Sequence, residues 1–260
     1  MTTDVGFVTS QLSQVKRVIA IPTYYESDTV PVLLCKLVKY LNETDAILVI
    51  DDSPSDVYNL TKSNVLKAIG NPNCSLFFLP SSIKSGRGAA IRRGMIAATE
   101  MFPQFEFFLE CDADGSHQAL DINRVLNSSI KFDLVIGSRY LPKSKIYGWS
   151  ITRKIFSRVL NLFIPYLFKI PVEDVTNGLR RYSRLSVSKI VAKIPINLGF
   201  TYLTEQALIV TQHRLPILEV DIEFAERLAG ISSVTWKEIF NSLRGIMNLW
   251  FRSLRNKSDE

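Results

Sequence analysis

Asp112 and Asp114, in the stretch ECDADGSHQAL, stand one residue apart just after the apolar run FEFF. Two carboxylates placed so closely repel each other unless a positive group sits between them. On a tight turn each can offer an oxygen to one Mg2+ or Mn2+, which also holds a diphosphate and stabilises its departure. Asp and Gly are also ordinary turn residues, so a polar turn closing a strand is the alternative. KSGRGAAIRRG (84–94) is a glycine-rich turn entering a helix, with Lys84 and Arg87 close by. Its helix N-terminal amides could cradle a phosphate, or the stretch could be a plain tight turn. Of the two histidines, His117 is a possible metal neighbour but reads better as a loop or helix-start residue. His213 reads as structural or exposed.

The elements that position these residues follow from hydrophobic periodicity. RVIAI (17–21) forms a short β-branched strand stopped by Pro22, and TVPVLLCKLVKYLN (29–42) has helical spacing with an early Pro. AILVIDDS (46–53) is a buried strand ending in acids, and LTKSNVLKAIG (60–70) a helix closed by Gly70. SLFFLP is a third strand, GAAIRRGMIAATEMF (88–102) a helix, and FEFFLECDAD a fourth strand. LDINRVLNSSI is then a helix and FDLVIGSRY a fifth strand. Strand and helix alternate through residue 140, and the strands are continuous apolar runs. This predicts a parallel sheet covered by helices on both faces. Glu26, Asp51–Asp52 and Asp112–Asp114 each follow a strand end, where ligands of open α/β sheets bind. PTYYES after the first strand lacks G-x-G-x-x-G, which argues against a dinucleotide site, and no G-x-x-x-x-G-K-[ST] is present.

At 260 residues the chain suits one sizeable α/β domain, with room for a short appendage. A composition 47% hydrophobic and 22% charged excludes a disordered chain. Net charge +6 and pI near 9.2 hint at anionic partners such as phosphates, nucleic acid or acidic lipid. Cys35, Cys74 and Cys111 lack CxxC spacing, so neither a disulfide framework nor a thiolate metal site is expected, as suits a reducing cytoplasm. The first residues have no apolar core of a secretory signal, and no run is long enough to span a bilayer. IFSRVLNLFIPYLFKI (155–170) is strongly apolar but contains Arg158 and Pro165. In 236–255, Trp236, Ile239, Phe240, Leu243, Ile246, Met247, Trp250 and Leu254 recur at helical spacing beside Lys237, Arg244, Arg252 and Arg255. That helix either packs on the core or lies in a membrane interface.

IPTYYE, VIDDSPSD, ECDADGSH, GSRY and VEDVTNGLRRYSR occur in this order. Together they resemble the family 2 GT-A glycosyltransferases, in their polyprenyl-phosphate (dolichol-phosphate) mannosyl- and glucosyltransferase branch, over about residues 17–233. The resemblance implies an α/β GT-A, Rossmann-like, doubly wound and mostly parallel sheet with a C-terminal amphipathic helix. It divides the chain into a flexible leader (1–16), a glycosyltransferase domain (17–233) and a helical tail (234–260). Pro22, Tyr24, Glu26 and Asp52 would line the nucleoside pocket, with Gly86 and Gly88 of the glycine-rich turn. Asp112 and Asp114 would hold Mg2+ or Mn2+ and the sugar-nucleotide diphosphate. Arg139 would face the acceptor phosphate, Asp174 and Arg180 would contact sugar or phosphate, and Arg227 belongs to the matching FAERLAGISS segment. The implied reaction is inverting transfer of a hexose, mannose or glucose, from GDP-mannose or UDP-glucose to polyprenyl phosphate. It would run peripherally at the cytoplasmic face of a membrane, with a possible anchoring subunit and no nucleic-acid partner.

Trp149, Arg153, Ser157 and Asn161 recur at spacing four and share one helix face beside the apolar 155–170 segment. Arg grips phosphate bidentately, so Arg153 and Ser157 join Arg139 as candidates for the acceptor phosphate. A phosphate monoester, with a second pKa near 6, is already anionic at neutral pH and needs no strong base. Positioning and charge stabilisation, through Asp114, Arg139 and Arg153, would then carry catalysis. Glu205 stands where relatives keep a Glu, and would be the general base if the acceptor were a hydroxyl. Departures from the pattern are Asn177, where Ser is usual, and Ser233, where Lys is usual; Gly230 and Ser232 match. Alternatives are a family 2 enzyme acting on a hydroxyl, a sugar nucleotidyltransferase, and a non-catalytic membrane-binding relative.

Overall fold

A computed structural model describes residues 3–9, 11–81, 83–195, 201–226 and 244–251. In chain order its strands and helices are β1 (Asp4–Phe7), β2 (Arg17–Thr23), α1 (Thr29–Leu37), β3 (Asp45–Asp51), α2 (Ser55–Ile69), β4 (Ser75–Pro80) and α3 (Arg87–Met101). They continue with β5 (Phe107–Glu110), α4 (Ala119–Leu126), β6 (Leu134–Ser138), β7 (Lys145–Ile146) and α5 (Ile151–Phe168). The last are β8 (Arg180–Ser183), α6 (Arg184–Val191), α7 (Tyr202–Gln212), β9 (Ile217–Asp221) and β10 (Glu223–Phe224). The main sheet has eight strands in the order β1-β4-β3-β2-β5-β8-β6-β9, and β7 pairs with β10 apart from it.

Most of the sheet is parallel, as the alternation of strand and helix predicts. β4, β3, β2 and β5 run together, and β9 runs with β6. Two strands oppose them. β8 inserts antiparallel between β5 and β6, and β1 pairs antiparallel with β4. Side chains alternate across the central strands because successive strand residues point to opposite faces. Val18, Ala20, Leu48 and Ile50 pack towards α3, α6 and α7; Ile19, Ile21, Ile47 and Val49 pack towards α1, α2 and α4. Both faces are therefore covered, which is why β3 is buried along its whole length. Gly94 allows close approach of α3, since a Cβ there would meet Ile50 Cδ1 at 2.5 Å.

Several expectations shift. Part of the leader expected to be flexible is structured: β1 pairs with β4, and Asp4 accepts hydrogen bonds from Tyr58 and Lys62. The helix expected from residue 60 begins at Ser55, directly after Pro54, which is its N-cap residue. The fourth strand ends at Glu110, so the aspartate pair lies wholly in the loop beyond it. The terminal helical segment is described only over 244–251, where Ile246 and Leu249 join the core with Ile164 and Phe168 of α5. Trp236, Ile239, Phe240, Leu243 and Leu254 lie outside the described residues. Among the described residues no helix is long and apolar enough to cross a membrane.

Candidate active site

The sheet has its switch point beside β2. The chain leaves β2 through α1 to β3 on one side, and returns through α3 to β5 on the other. A crevice opens beyond the strand ends at such a point, and residues 22–26, 51–53 and 111–117 converge there. Thr23 is the register partner of Asp51, and Pro22 that of Ile50. Tyr25 has φ 58°, a rare conformation for a bulky residue, and its N–H donates to Ser53 Oγ at 2.8 Å. Lys84 Nζ lies 4.0 Å above the half-exposed Tyr24 ring. Glu26 accepts from Thr29 Oγ1 at the start of α1. Asp52 is buried: Oδ2 accepts from Ser85 N (3.0 Å) and Oγ (2.8 Å), and Oδ1 pairs with Arg93. The loop entering α3 is thus tied to the end of β3. Three buried oxygens at this edge, Thr23 Oγ1, Asp51 Oδ2 and Ser116 Oγ, have no hydrogen-bond partner among the described residues.

Arg87 opens α3 beside the aspartate loop. Its Nε is 2.8 Å from Asp112 Oδ1, its Nη1 is 3.1 Å from Glu110 Oε2, and Nη2 donates to Gly178 O at 3.1 Å. The Tyr202 ring lies beneath the guanidinium. Burial works against the Arg87 charge, but Asp112 and Glu110 outweigh it and raise the pKa. Glu110 is wholly buried, and burial raises its pKa against the opposing pull of Arg87 and Arg180. Tyr202 donates to Glu110 Oε2 at 2.7 Å, and the Tyr182 hydroxyl lies 2.7 Å from Oε1. These contacts make the carboxylate tolerable in the interior. Asp114 is buried, with Oδ1 accepting from Ser116 N at 3.0 Å.

Asp112 and Asp114 offer only hard oxygen ligands. Among the described residues no three or more His, Cys, Asp or Glu side chains are grouped to hold a metal by themselves. This donor set fits a hard divalent cation such as Mg2+ or Mn2+, which takes one or two carboxylates and completes its shell with phosphate oxygens and water.

His117 joins the two halves of the site. Its Nδ1 accepts from Asp112 N at 3.1 Å, so Nε2 carries the proton and donates to Asn177 Oδ1 at 3.0 Å. Asn177 Nδ2 in turn donates to Gly137 O in β6. The end of β6 carries Arg139, whose Nε and Nη2 grip Asp174 at 2.7 and 2.8 Å. Asp174 also accepts from the backbone N–H groups of Arg139, Thr176 and Asn177. Burial favours neutral Asp174, yet Arg139 prevails and holds the carboxyl below its ordinary range. Burial likewise works against the Arg139 charge, and Asp174 raises it. Trp149 lies between two guanidiniums, 5.3 Å from Arg139 and 4.1 Å from Arg153. Ser150 caps α5 by accepting from Arg153 N, which fixes this corner. Ser157 accepts from Tyr140 Oη at 2.6 Å, and Asn161 donates to Thr176 Oγ1 at 2.8 Å.

The structure gathers Pro22, Tyr24, Glu26, Asp52, Gly86, Gly88, Asp112 and Asp114 at one end of the crevice. Arg139, Asp174, Arg153 and Ser157 collect at the other. Asp174 is the partner of Arg139 rather than a group open to sugar or phosphate. Arg180 departs further from expectation. It is wholly buried, and its nitrogens donate to Asn177 O, Leu203 O and Val175 O. It braces the 174–177 turn against α7. Glu205 lines a cavity of about 20 Å3 with Gly88, Arg92, Lys193, Tyr202 and Gln206, so it sits behind the start of α3, and among the described residues none of α5 lines that cavity. His117 is a buried strut, and His213 closes α7 through Nδ1 to Ile209 O. Arg227, Gly230, Ser232 and Ser233 lie outside the described residues. Glu110 and Arg93 also belong to the site although no motif singles them out; for Glu110 the signal is an acid that ends the apolar run FFLE.

The profile described as Glycosyl transferase family 2 matches residues 18–190. The chain is 30% identical over 215 residues to undecaprenyl-phosphate mannosyltransferase of Micrococcus luteus, covering 83% of this chain and 86% of that protein. It is 27% identical over 225 residues to polyprenol monophosphomannose synthase of Mycolicibacterium smegmatis, covering 86% and 83%. Among solved structures, glucosyl-3-phosphoglycerate synthase from Mycobacterium tuberculosis with Mn2+, UDP and phosphoglyceric acid superposes with TM-score 0.59 at 16% identity, over 92% of this chain and 78% of that one. The same enzyme with Mg2+ and UDP gives 0.58 at 14% identity, over 92% and 79%. These likenesses establish the GT-A type of sheet found above.

Proposed function

The chain belongs to glycosyl transferase family 2, and from that premise we propose that it moves a hexose from a nucleotide-sugar to polyprenyl phosphate at a membrane surface. The observation that carries the reading is the two-ended crevice: a carboxylate pair at one end, the Arg139–Trp149–Arg153 cluster at the other, joined through His117. The two relatives named above bear the names of polyprenyl-phosphate mannosyl enzymes, which favours mannose from GDP-mannose, with UDP-glucose the other donor to test.

Asp112 and Asp114 would hold Mg2+ or Mn2+ together with the donor diphosphate. When bound, that cation supplies charge to offset the negative charge growing on the leaving group. Pro22, Tyr24, Glu26 and Asp52 line the nucleoside end, and Gly86 and Gly88 bring the start of α3 against the phosphates. Asp174 fixes the plane of the Arg139 guanidinium, leaving the Nη1 edge outside that pair. Arg139, Arg153 and Ser157 orient the acceptor phosphate. One of its oxygens forms a bond to the anomeric carbon as the bond from that carbon to the diphosphate breaks. The nucleoside diphosphate leaves with the electron pair, and attack from the opposite face inverts the centre. The acceptor is anionic beforehand, so no base is required.

The catalytic unit takes in β1 at the edge of the sheet as well as the 17–233 region, and would act peripherally at the cytoplasmic face, with a membrane-anchoring subunit as a further partner to seek. The test is transfer of radiolabelled sugar to membranes or purified polyprenyl phosphate. A lipid-extractable product from GDP-mannose or UDP-glucose supports the proposal. None from either donor, nor from UDP-N-acetylglucosamine, overturns the lipid acceptor.

A further inference from the structure

The roles assigned above use only the inner side of α5. On its outer side Ile151, Ile155, Phe156, Val159, Leu162, Phe163 and Tyr166 are between 48% and 85% exposed. At about 100° per residue they occupy an arc of about 140°, on the side of the helix opposite Ser157 and Asn161. Ser157 and Asn161 bond inward to Tyr140 and Thr176. Over this stretch the helix is inside out relative to one on a watery surface: polar residues face the protein and apolar ones face away. Ile164 and Phe168 are buried and pin its second half to the core. A contiguous exposed apolar face of this kind marks an interaction surface.

The charges beside it indicate what covers it. α5 contains Arg153, Lys154 and Arg158 and no acidic residue. Lys154 is exposed beside the apolar arc and Lys169, the left-handed residue that caps α5, is exposed at its end, while Arg158 pairs with Glu173 at 2.8 Å. Apolar side chains bordered by amines suit an anionic membrane interface. The face also adjoins the acceptor end of the crevice, because Arg153 and Ser157 belong to the same helix. A helix is about 10 Å across, so a bilayer on the outer side brings headgroup-level phosphates near the inner one. Met247 and Phe251 of the 244–251 stretch are likewise exposed, and their neighbours Ile246 and Leu249 share the core cluster of Ile164 and Phe168.

We infer that the outer face of α5 is a docking surface for an anionic lipid bilayer. The helix lies in the plane of the interface, with Phe156, Leu162 and Phe163 at the acyl boundary and Lys154 and Lys169 among headgroups. Its apolar row, Ile151 to Tyr166, is about 22 Å long at 1.5 Å per residue, so several side chains insert together. The link to catalysis rests on the lipid-phosphate reading of the acceptor; the docking surface itself is tested without donor or acceptor.

The experiment is flotation of the full chain with vesicles of phosphatidylcholine alone and of phosphatidylcholine with one-third phosphatidylglycerol. The wild-type protein floats with the anionic vesicles. The triple variant Phe156→Ser, Leu162→Ser, Phe163→Ser loses about tenfold or more in partitioning, and Lys154→Glu with Lys169→Glu loses binding mainly to anionic vesicles. The variants keep wild-type nucleoside diphosphate affinity, because all the altered side chains are exposed and distant from the donor end. Unchanged flotation of the triple variant overturns the inference, as does a wild-type dimer that the triple variant disperses without loss of vesicle binding. If both variants lose flotation but the wild type makes no lipid-linked sugar, docking stands and the acceptor assignment falls.

Discussion

Replacing Asp174 by Asn should damage this protein more than any comparable change on its surface. Asp174 is fully buried and accepts from Arg139 Nε, Nη2 and backbone N, and from Thr176 N and Asn177 N. The amide keeps the shape, but it removes the charge and turns one acceptor into a donor facing other donors. Breaking a buried pair from one side costs about 3–5 kcal/mol, because an uncompensated charge stays inside. At about 2–4 °C per kcal/mol for a chain this size, the melting temperature should fall by about 6–20 °C. The informative comparison is a cycle with Arg139→Gln and the double variant, followed by thermal or urea denaturation. The double variant should be more stable than Asp174→Asn alone, since no buried guanidinium is left without its partner. All three variants should lose sugar transfer, because each loses the oriented Arg139. An Asp174→Asn protein within about 1 kcal/mol of wild type would refute the reasoning, since that is the scale of an ordinary exposed pair.

The same pair sets an acid limb. Arg139 depresses the Asp174 pKa, so its stabilisation is complete above the unfolded carboxylate value of about 3.9 and is lost as pH falls through the lower folded value; denaturation across that range should be shallower for Asp174→Asn. Gly178→Ala places a Cβ 2.5–2.8 Å from the Arg87 guanidinium, which should shift Arg87 off Asp112 and weaken nucleoside diphosphate binding in calorimetry with little change in circular dichroism. Glu205→Gln should reduce turnover on polyprenyl phosphate by less than about tenfold, below the usual worth of a general base; near-complete loss would point to a hydroxyl acceptor.

The sequence disclosed the central fold well because parallel strands buried on both faces leave continuous apolar runs, as in AILVID and SLFF. It disclosed the donor end for a related reason. Asp52, Asp112 and Asp114 follow those runs directly, and the strand ends converge by topology alone. The acceptor end was harder to read. Nothing local to RRYS indicates that β8 runs antiparallel between β5 and β6, and that insertion brings Asp174 to Arg139. The match of DVTNGLRRY to the family turn makes Arg180 a candidate for sugar or phosphate, but three backbone carbonyls of the turn and α7 take its donors and make its burial possible, an arrangement no spacing in the sequence shows. The His117–Asn177 link spans 60 residues, beyond the reach of any spacing rule. β1 went unseen because four residues of edge strand carry too weak a pattern.

The claim on which the account depends is that Asp112 and Asp114 hold a divalent cation shared with the donor diphosphate. Calorimetric titration of GDP and UDP into the wild-type chain and Asp114→Asn, with Mn2+ and then with excess chelator, addresses it directly. The account predicts that the preferred nucleotide binds tightly only to the wild type with Mn2+, weakening about tenfold or more in the chelated and variant samples. Equal affinity in all of these titrations would contradict it.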